Sequence, residues 1–272
     1  MSNAFPPSSV SGDNPPARLP SSVGKAPNMI AVASGKGGVG KTWLSVTLTH
    51  ALARMGRRTL LFDGDLGLAN IDVQLGLMPK RDLGGFIEGK LLLEQAITPH
   101  EEYGFDVIAG RSGSGSLAML PPQRLVNLGD ELLKLARGYD RVILDLGAGI
   151  DRTVRTLSGW AATSLVVATP DPTSLTDAYA FIKLTAQADP KADIRVAINM
   201  VDSVSEGQRT YQTLLKACQG FLKMSPPLAG IIRRDRKVAD AIRHQTSLLT
   251  RSPTCDAARD IEKLMENLLD TP

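Results

Sequence analysis

Gly35-Lys36-Gly37-Gly38-Val39-Gly40-Lys41-Thr42 is the stretch that decides the fold. It fits G-x-x-x-x-G-K-[ST], with the apolar run Ile30–Ala33 before it and the helix-length stretch Lys41–Met55 after it. The glycines let the backbone turn tightly, so that N–H groups point inward at phosphate oxygens. The helix that follows adds its positive N-terminal end. Lys41 is placed to reach the β- and γ-phosphates of a nucleotide, and Thr42 to ligate Mg²⁺ through its hydroxyl. A chance glycine-rich turn would lack the strand and helix on either side.

Outward from this loop, short apolar runs alternate with helix-length stretches. The further runs are Thr59–Phe62, Phe105–Ala109, Arg141–Leu144, Ser164–Ala168, Ile194–Ile198 and Leu228–Ile232. Pro121–Ala136, Leu175–Ala188, Gln208–Phe221, Lys237–His244 and Ala257–Leu269 read as helices. Such alternation implies right-handed crossovers and an α/β fold: a mostly parallel, twisted sheet with helices on both faces. Residues 1–28 are rich in Pro, Ser, Gly and Asn and read as a disordered tail, leaving a single domain over 29–272. The 272 residues suffice for one core, and the 4% of aromatics imply one built from Val, Ile, Leu and Ala.

Two carboxylate features fall where ligands bind in open α/β sheets, beyond the carboxyl ends of strands. Asp63-Gly64-Asp65 ends one apolar run, so Asp63 and Asp65 can face a metal and an attacking water. Arg141-Val142-Ile143-Leu144-Asp145 is an apolar run closed by an aspartate, and Asp145 would hold Mg²⁺ through water. Gly147 and Gly149 follow and would permit a loop to move when the γ-phosphate leaves.

The second lysine of the loop, Lys36, is not needed by an ordinary phosphate-binding loop. GKGGVGKT resembles the deviant Walker A motif of the MinD/ParA family of ATPases. The resemblance implies ATP/ADP and Mg²⁺ as cofactors and slow, switch-type hydrolysis. It implies a homodimer sandwiched around ATP, in which Lys36 crosses to the partner's nucleotide. A cation there would offset charge developing on the phosphoryl group. By the same resemblance Asp65 positions the water, Asp63 supports the metal shell, and Asn199 reads the adenine ring. Family members carry Thr or Ser after the metal-holding aspartate; here Leu146 stands there, and Trp43 follows the loop where a smaller polar residue is usual.

Asp65–Leu77, Gly147–Ile150 and the Thr169–Lys183 stretch, with its Thr176-Asp177-Ala178-Tyr179, look like the flagellar branch of that family, FlhG (FleN, YlxH, MinD-like). The resemblance implies control of flagellar number and placement. Its partners would be an FlhF-type GTPase, a flagellar transcription activator and basal-body switch proteins. Residues 1–28 lack the DQAxxLR-type segment of many relatives. Ile261, Leu264, Met265 and Leu268 share one face of the last helix, but the opposite face is acid-rich, which argues for packing on the domain over membrane binding.

The net charge of +3 is too small to indicate nucleic acid, so Arg233, Arg234, Arg236, Lys237 and Arg243 read as a solvated cluster. A partition or cell-division-site ATPase acting through DNA or membrane is the alternative. Cys218 and Cys255 form no paired motif, which disfavours an iron–sulfur carrier or a disulfide framework and points to a reducing cytosol, with the cell pole or inner-membrane surface as a peripheral site. No apolar run approaches a membrane span.

Overall fold

The computed structural model describes residues 24–110 and 120–269. Its strands are β1 (Ala26–Ser34), β2 (Thr59–Gly64), β3 (Ile97–His100), β4 (Phe105–Ile108), β5 (Arg141–Ala148), β6 (Ala161–Ala168), β7 (Asp193–Val201) and β8 (Leu228–Arg233). They form one sheet in the order β3-β4-β2-β5-β1-β6-β7-β8. Every neighbouring pair is parallel except β3 and β4. All seven anticipated runs are strands. The eighth, β3, was not anticipated: its Ile-Thr-Pro-His carries a proline and is only partly buried, which suits an edge strand with one neighbour.

Side chains alternate between the two faces of the sheet, and the apolar ones sort into two cores. Met29, Leu60, Phe62, Val142, Leu144, Leu146 and Val196 enter one, beneath α4 (Pro122–Ala136), α5 (Arg152–Ser158), α6 (Pro172–Ala188) and α7 (Val204–Ala217). Ile30, Val32, Leu61, Ile143 and Val167 enter the other, with α1 (Lys41–Arg54) and the C-terminal helix Asp256–Leu269. The central strands are buried on both faces, which is why they read as continuous apolar runs.

The boundary of the expected tail needs correction. β1 begins at Ala26, and Asn28 donates to the carbonyls of Ala136 and Tyr139 at 2.8 Å each, fastening α4 to the sheet. Polar Pro-Asn composition hid a strand end. Residues 1–23 of that expected tail lie outside the described residues.

The C-terminal helix packs as its apolar face suggests, on β8 and α1, burying Ile261, Leu264, Met265 and Leu268. Gly230 makes the approach feasible, since a Cβ there would stand 2.7 Å from the Leu264 Cβ. Arg195 closes the helix end by donating to the carbonyls of Asn267 and Leu268.

Candidate functional site

The loop Gly35–Thr42 leaves β1 in the middle of the sheet and turns into the N-terminus of α1. Gly38 and Gly40 hold φ of +77° and +90°, a region that only glycine enters without strain. Lys41 is the first residue of α1 and is buried. Burial lowers its ammonium pKa, while the charges of Asp145 and Asp65 oppose that shift, so all three are neighbours.

Strand alternation places the carboxylates. Phe62 and Leu144 face the α4 side, so Asp63 and Asp145, paired across β2 and β5, face α1 and the loop. Ser45 Oγ lies 2.9 Å from Asp145 Oδ1 and 3.0 Å from the Lys41 carbonyl. Burial pushes the Asp145 carboxyl up to about 6, against the pull of Thr42, Ser45 and Lys41. Its Oδ2 is buried without a hydrogen-bond partner among the described residues. An orphaned carboxylate oxygen beside Thr42 fits Mg²⁺, which takes one or two protein ligands and completes its shell with water and phosphate. Among the described residues no three His, Cys, Asp or Glu side chains cluster as a metal site.

Asp63 is fully buried, and its oxygens accept from the backbone N–H groups of Asp65, Asn70 and Ile71 at 3.2–3.3 Å. Burial, aided by the Asp145 charge, pushes it up to about 8. Its geometry is that of a pin for its own loop, so any support it gives a metal acts through that loop. Asp65 is partly exposed; one of its oxygens accepts from Leu68 N–H at 3.0 Å, and a Cβ on Gly147 would stand 3.3 Å from it. The loop after β2 and the loop expected to move after β5 therefore lie close together at Asp65 and Gly147.

Asn199 is buried; its Nδ2 donates to the Val39 carbonyl at 2.8 Å and its Oδ1 accepts from Met200 N–H. Asn199 thus braces the phosphate loop from β7, a contact that its sequence position did not reveal. Lys36 lies on the outer side of the loop, where its ammonium contacts Asp171 Oδ2 at 2.9 Å and the Thr173 hydroxyl. Those contacts, Lys36 first, hold the Asp171 carboxyl far below the usual range. Asp171 also caps α6 through Thr173 N–H.

Ser45, Asp171 and Thr173 are site residues that the sequence reading missed. The signal for the latter two was present: Asp-Pro-Thr-Ser at a strand end is an N-cap with proline at N1. Ser45 had none beyond its place one turn after Lys41. Leu146, at the departure from the family pattern, is buried in the α4-side core and points away from the loop. Trp43 is likewise buried, in the α1-side core, and its indole N–H has no hydrogen-bond partner among the described residues. The basic cluster is largely paired: Arg233 with Asp256 and Asp260, Arg234 with Asp202, and Arg243 with Asp240.

A cleft of about 390 Å³ opens beside the loop, bordered by Lys36–Val39, Thr169–Asp171, Met200, Asp202, Glu206 and Arg234. It lies at the carboxyl ends of β1, β6, β7 and β8, where an open parallel sheet binds ligands.

Residues 30–248 match the family model for the CobQ/CobB/MinD/ParA nucleotide binding domain. The antiactivator FleN of Pseudomonas aeruginosa is 38% identical over 230 residues, 85% of this chain and 82% of that protein. The flagellum site-determining protein YlxH of Helicobacter pylori is 33% identical over 190 residues, 70% of this chain and 64% of that one. In fold, the chain is similar to the septum site-determining protein MinD of Pyrococcus horikoshii, solved with Mg-ADP, at a TM-score of 0.76 and 23% identity over 90% of this chain and 97% of that one. With a phosphate loop, a buried lysine and a paired-strand aspartate in register, the chain belongs to the CobQ/CobB/MinD/ParA nucleotide binding domain family and is a P-loop ATPase.

Proposed function

We propose that this chain is an ATP-driven dimerisation switch that controls flagellar number and placement. The observation that carries the flagellar reading is the 38% identity with FleN across 85% of the chain. The antiactivator and site-determining names of the two relatives fit one activity: counting and placing flagella. Its partners would then be flagellar, an FlhF-type GTPase, a transcription activator or basal-body switch proteins.

In this reading the backbone N–H groups of Gly37–Lys41 hold the phosphates, and Lys41 neutralises them from within the loop. Thr42, and Asp145 through water, would hold Mg²⁺, which would supply positive charge to offset that of the phosphates. Asp65, placed against Gly147, orients the attacking water and senses the γ-phosphate. Lys36 must leave Asp171 and Thr173 to reach a nucleotide on a second copy. Both members of that ion pair are more than a third exposed, so breaking it costs little. Hydrolysis removes the group that Lys36 would cross for, and the lysine returns to its own chain.

Light scattering tests the switch: molar mass of wild type and Asp65→Ala, in ADP and in Mg-ATP. A monomer-to-dimer shift in Mg-ATP alone, more complete in the variant, is expected. No shift in either protein refutes the switch. Counting flagella per cell after deletion of the gene tests the biological half, and an unchanged count removes the flagellar assignment.

A further inference from the structure

Arg234 and Asp202 form an ion pair at the far end of the cleft from the phosphate loop. The phosphates lie at Gly35–Thr42, and Asp65 and Asp145 occupy the β2–β5 side of that loop. The cleft runs the other way, past Met200 to Asp202 and Arg234 on the loops after β7 and β8. A nucleotide whose phosphates occupy the loop thus has its base at this pair.

The backbones of both residues are fixed. Arg234 N–H donates to the Val201 carbonyl at 2.7 Å, stitching the two loops together. Asp202 N–H donates to the Glu206 carboxylate at 2.6 Å, and Met200 between Asn199 and Asp202 takes a left-handed φ of 59°. The side chains, by contrast, are poorly engaged. The Arg234 Nε to Asp202 Oδ1 distance is 3.7 Å, and the two side chains are 67% and 84% exposed. The second Arg234 contact, to the Met200 carbonyl, is 3.4 Å. A rigid backbone carrying a loose, solvated acceptor and donor side by side is poised to exchange its internal pairing for a ligand edge that offers the complementary groups.

We propose that Asp202, presented by Arg234, is the base-selecting residue of this chain and accepts a hydrogen bond from the exocyclic amine of adenine. The inference rests on the nucleotide reading of the cleft. Adenine offers that amine beside the acceptor N1, so a carboxylate and a guanidinium in adjacent positions complement its edge. Purine riboside lacks the amine and hypoxanthine carries a carbonyl oxygen there, which a carboxylate repels.

The test uses diphosphates, so that hydrolysis and dimerisation do not enter. Mg-ADP, purine riboside diphosphate, IDP and GDP compete against a fluorescent ADP analogue on wild type, Asp202→Ala and Asp202→Asn. Wild type should favour ADP over purine riboside diphosphate by about tenfold, the worth of one charge-assisted hydrogen bond. Asp202→Ala should bring that ratio close to one, and Asp202→Asn, which keeps an acceptor oxygen, should restore part of it. Asp202 is exposed, so the variants fold. An unchanged ratio in Asp202→Ala overturns the proposal, as does a wild-type preference for GDP. Failure of wild type to bind any of the four would instead strike the nucleotide reading itself.

Discussion

The four glycines of the phosphate loop look interchangeable in sequence, yet the structure gives each a different reason, and alanine substitution should rank them. Gly37 has a φ that any residue adopts, and an added Cβ would meet only the Ala148 Cβ at 3.8 Å, an ordinary contact. Gly37→Ala should be close to neutral for stability. Gly38 has open space around it but a φ of +77°, so Gly38→Ala costs only backbone strain, about 1–2 kcal/mol. Gly35 has no unusual φ; a Cβ there would stand 2.3 Å from the carbonyl oxygen of Asp177 and 2.6 Å from its Cβ. The first glycine of the motif thus exists to let α6 lie on the loop. Because the obstacle is helix backbone, Gly35→Ala should cost about 3 kcal/mol, the upper end for overpacking. Gly40 combines both: φ is +90°, and the Cβ would stand 2.5 Å from Asn199 Nδ2, which braces Val39. Strain of about 1–2 kcal/mol and the displaced hydrogen bond or repacking of about 1–3 kcal/mol put Gly40→Ala at about 2–5 kcal/mol. Urea unfolding without nucleotide isolates these terms from phosphate binding, with midpoints compared at constant slope. The expected order of loss is Gly40, Gly35, Gly38, Gly37. Equal losses at Gly37 and Gly40, or a neutral Gly35→Ala, would refute the packing argument.

Ser45 has one hydroxyl hydrogen for two acceptors, and donating it to Asp145 leaves Oδ2 as the position for a metal-held water. Ser45→Ala should raise the Mg²⁺ concentration needed for tight nucleotide binding by about tenfold, the worth of a hydrogen bond to a charged group, while binding in EDTA stays unchanged; calorimetric titration at several Mg²⁺ concentrations would read both. At the opposite end of α1, His50 is buried, stacks on Tyr103 and contacts Ser247 Oγ at 2.5 Å through Nδ1. Burial lowers its pKa from 6.5 to about 4, with Arg54 and His100 adding to the shift. The unfolded chain therefore binds a proton between pH 6.5 and 4 that the folded chain refuses. The His50 contribution is full above pH 6.5 and falls as the solution is acidified toward pH 4, by about 3 kcal/mol in all. Since Asp63 and Asp145 carry raised values and tilt stability the other way, the check is the difference between wild type and His50→Gln at pH 7 and pH 4.5, and a pH-independent difference would count against a neutral buried His50.

The fold was legible because its central strands are buried on both faces and so announce themselves as uninterrupted apolar runs. The illegible parts are where burial is one-sided or the chain is short. β3 presents Ile97 and Thr98 half-exposed and then a proline, a pattern shared with any loop. α2 (Ile71–Leu75) and α3 (Leu83–Ile87) bury two to four residues each, too few to establish a period. β1 starts four residues before the apolar run because Ala26 pairs with Ala161 at a sheet end, where polar neighbours are tolerated.

The site was legible to the extent that its chemistry is carried by one contiguous segment. Lys41, Thr42 and the loop glycines are fixed in relation to each other by the turn itself, so the motif alone predicted their arrangement. Asp145 was readable for a weaker reason: an aspartate that closes an apolar run lies at the carboxyl end of a strand, where open parallel sheets bind ligands. The contacts that escaped are those made by topology. Lys36 meets Asp171 and Thr173 across 135 and 137 residues, and Asn199 meets Val39 across 160. Nothing in the local sequence of either partner encodes the other; they meet because β1 lies next to β6, and β6 next to β7. Topology also bears on Leu146, the departure from the family pattern. Leu146 follows Asp145 in sequence, but strand alternation sends the two side chains to opposite faces of the sheet. Leu146 is packed with Leu157 and Trp160 in the α4-side core, so whatever Asp145 does for a metal, the leucine after it contributes through packing and not through the nucleotide pocket.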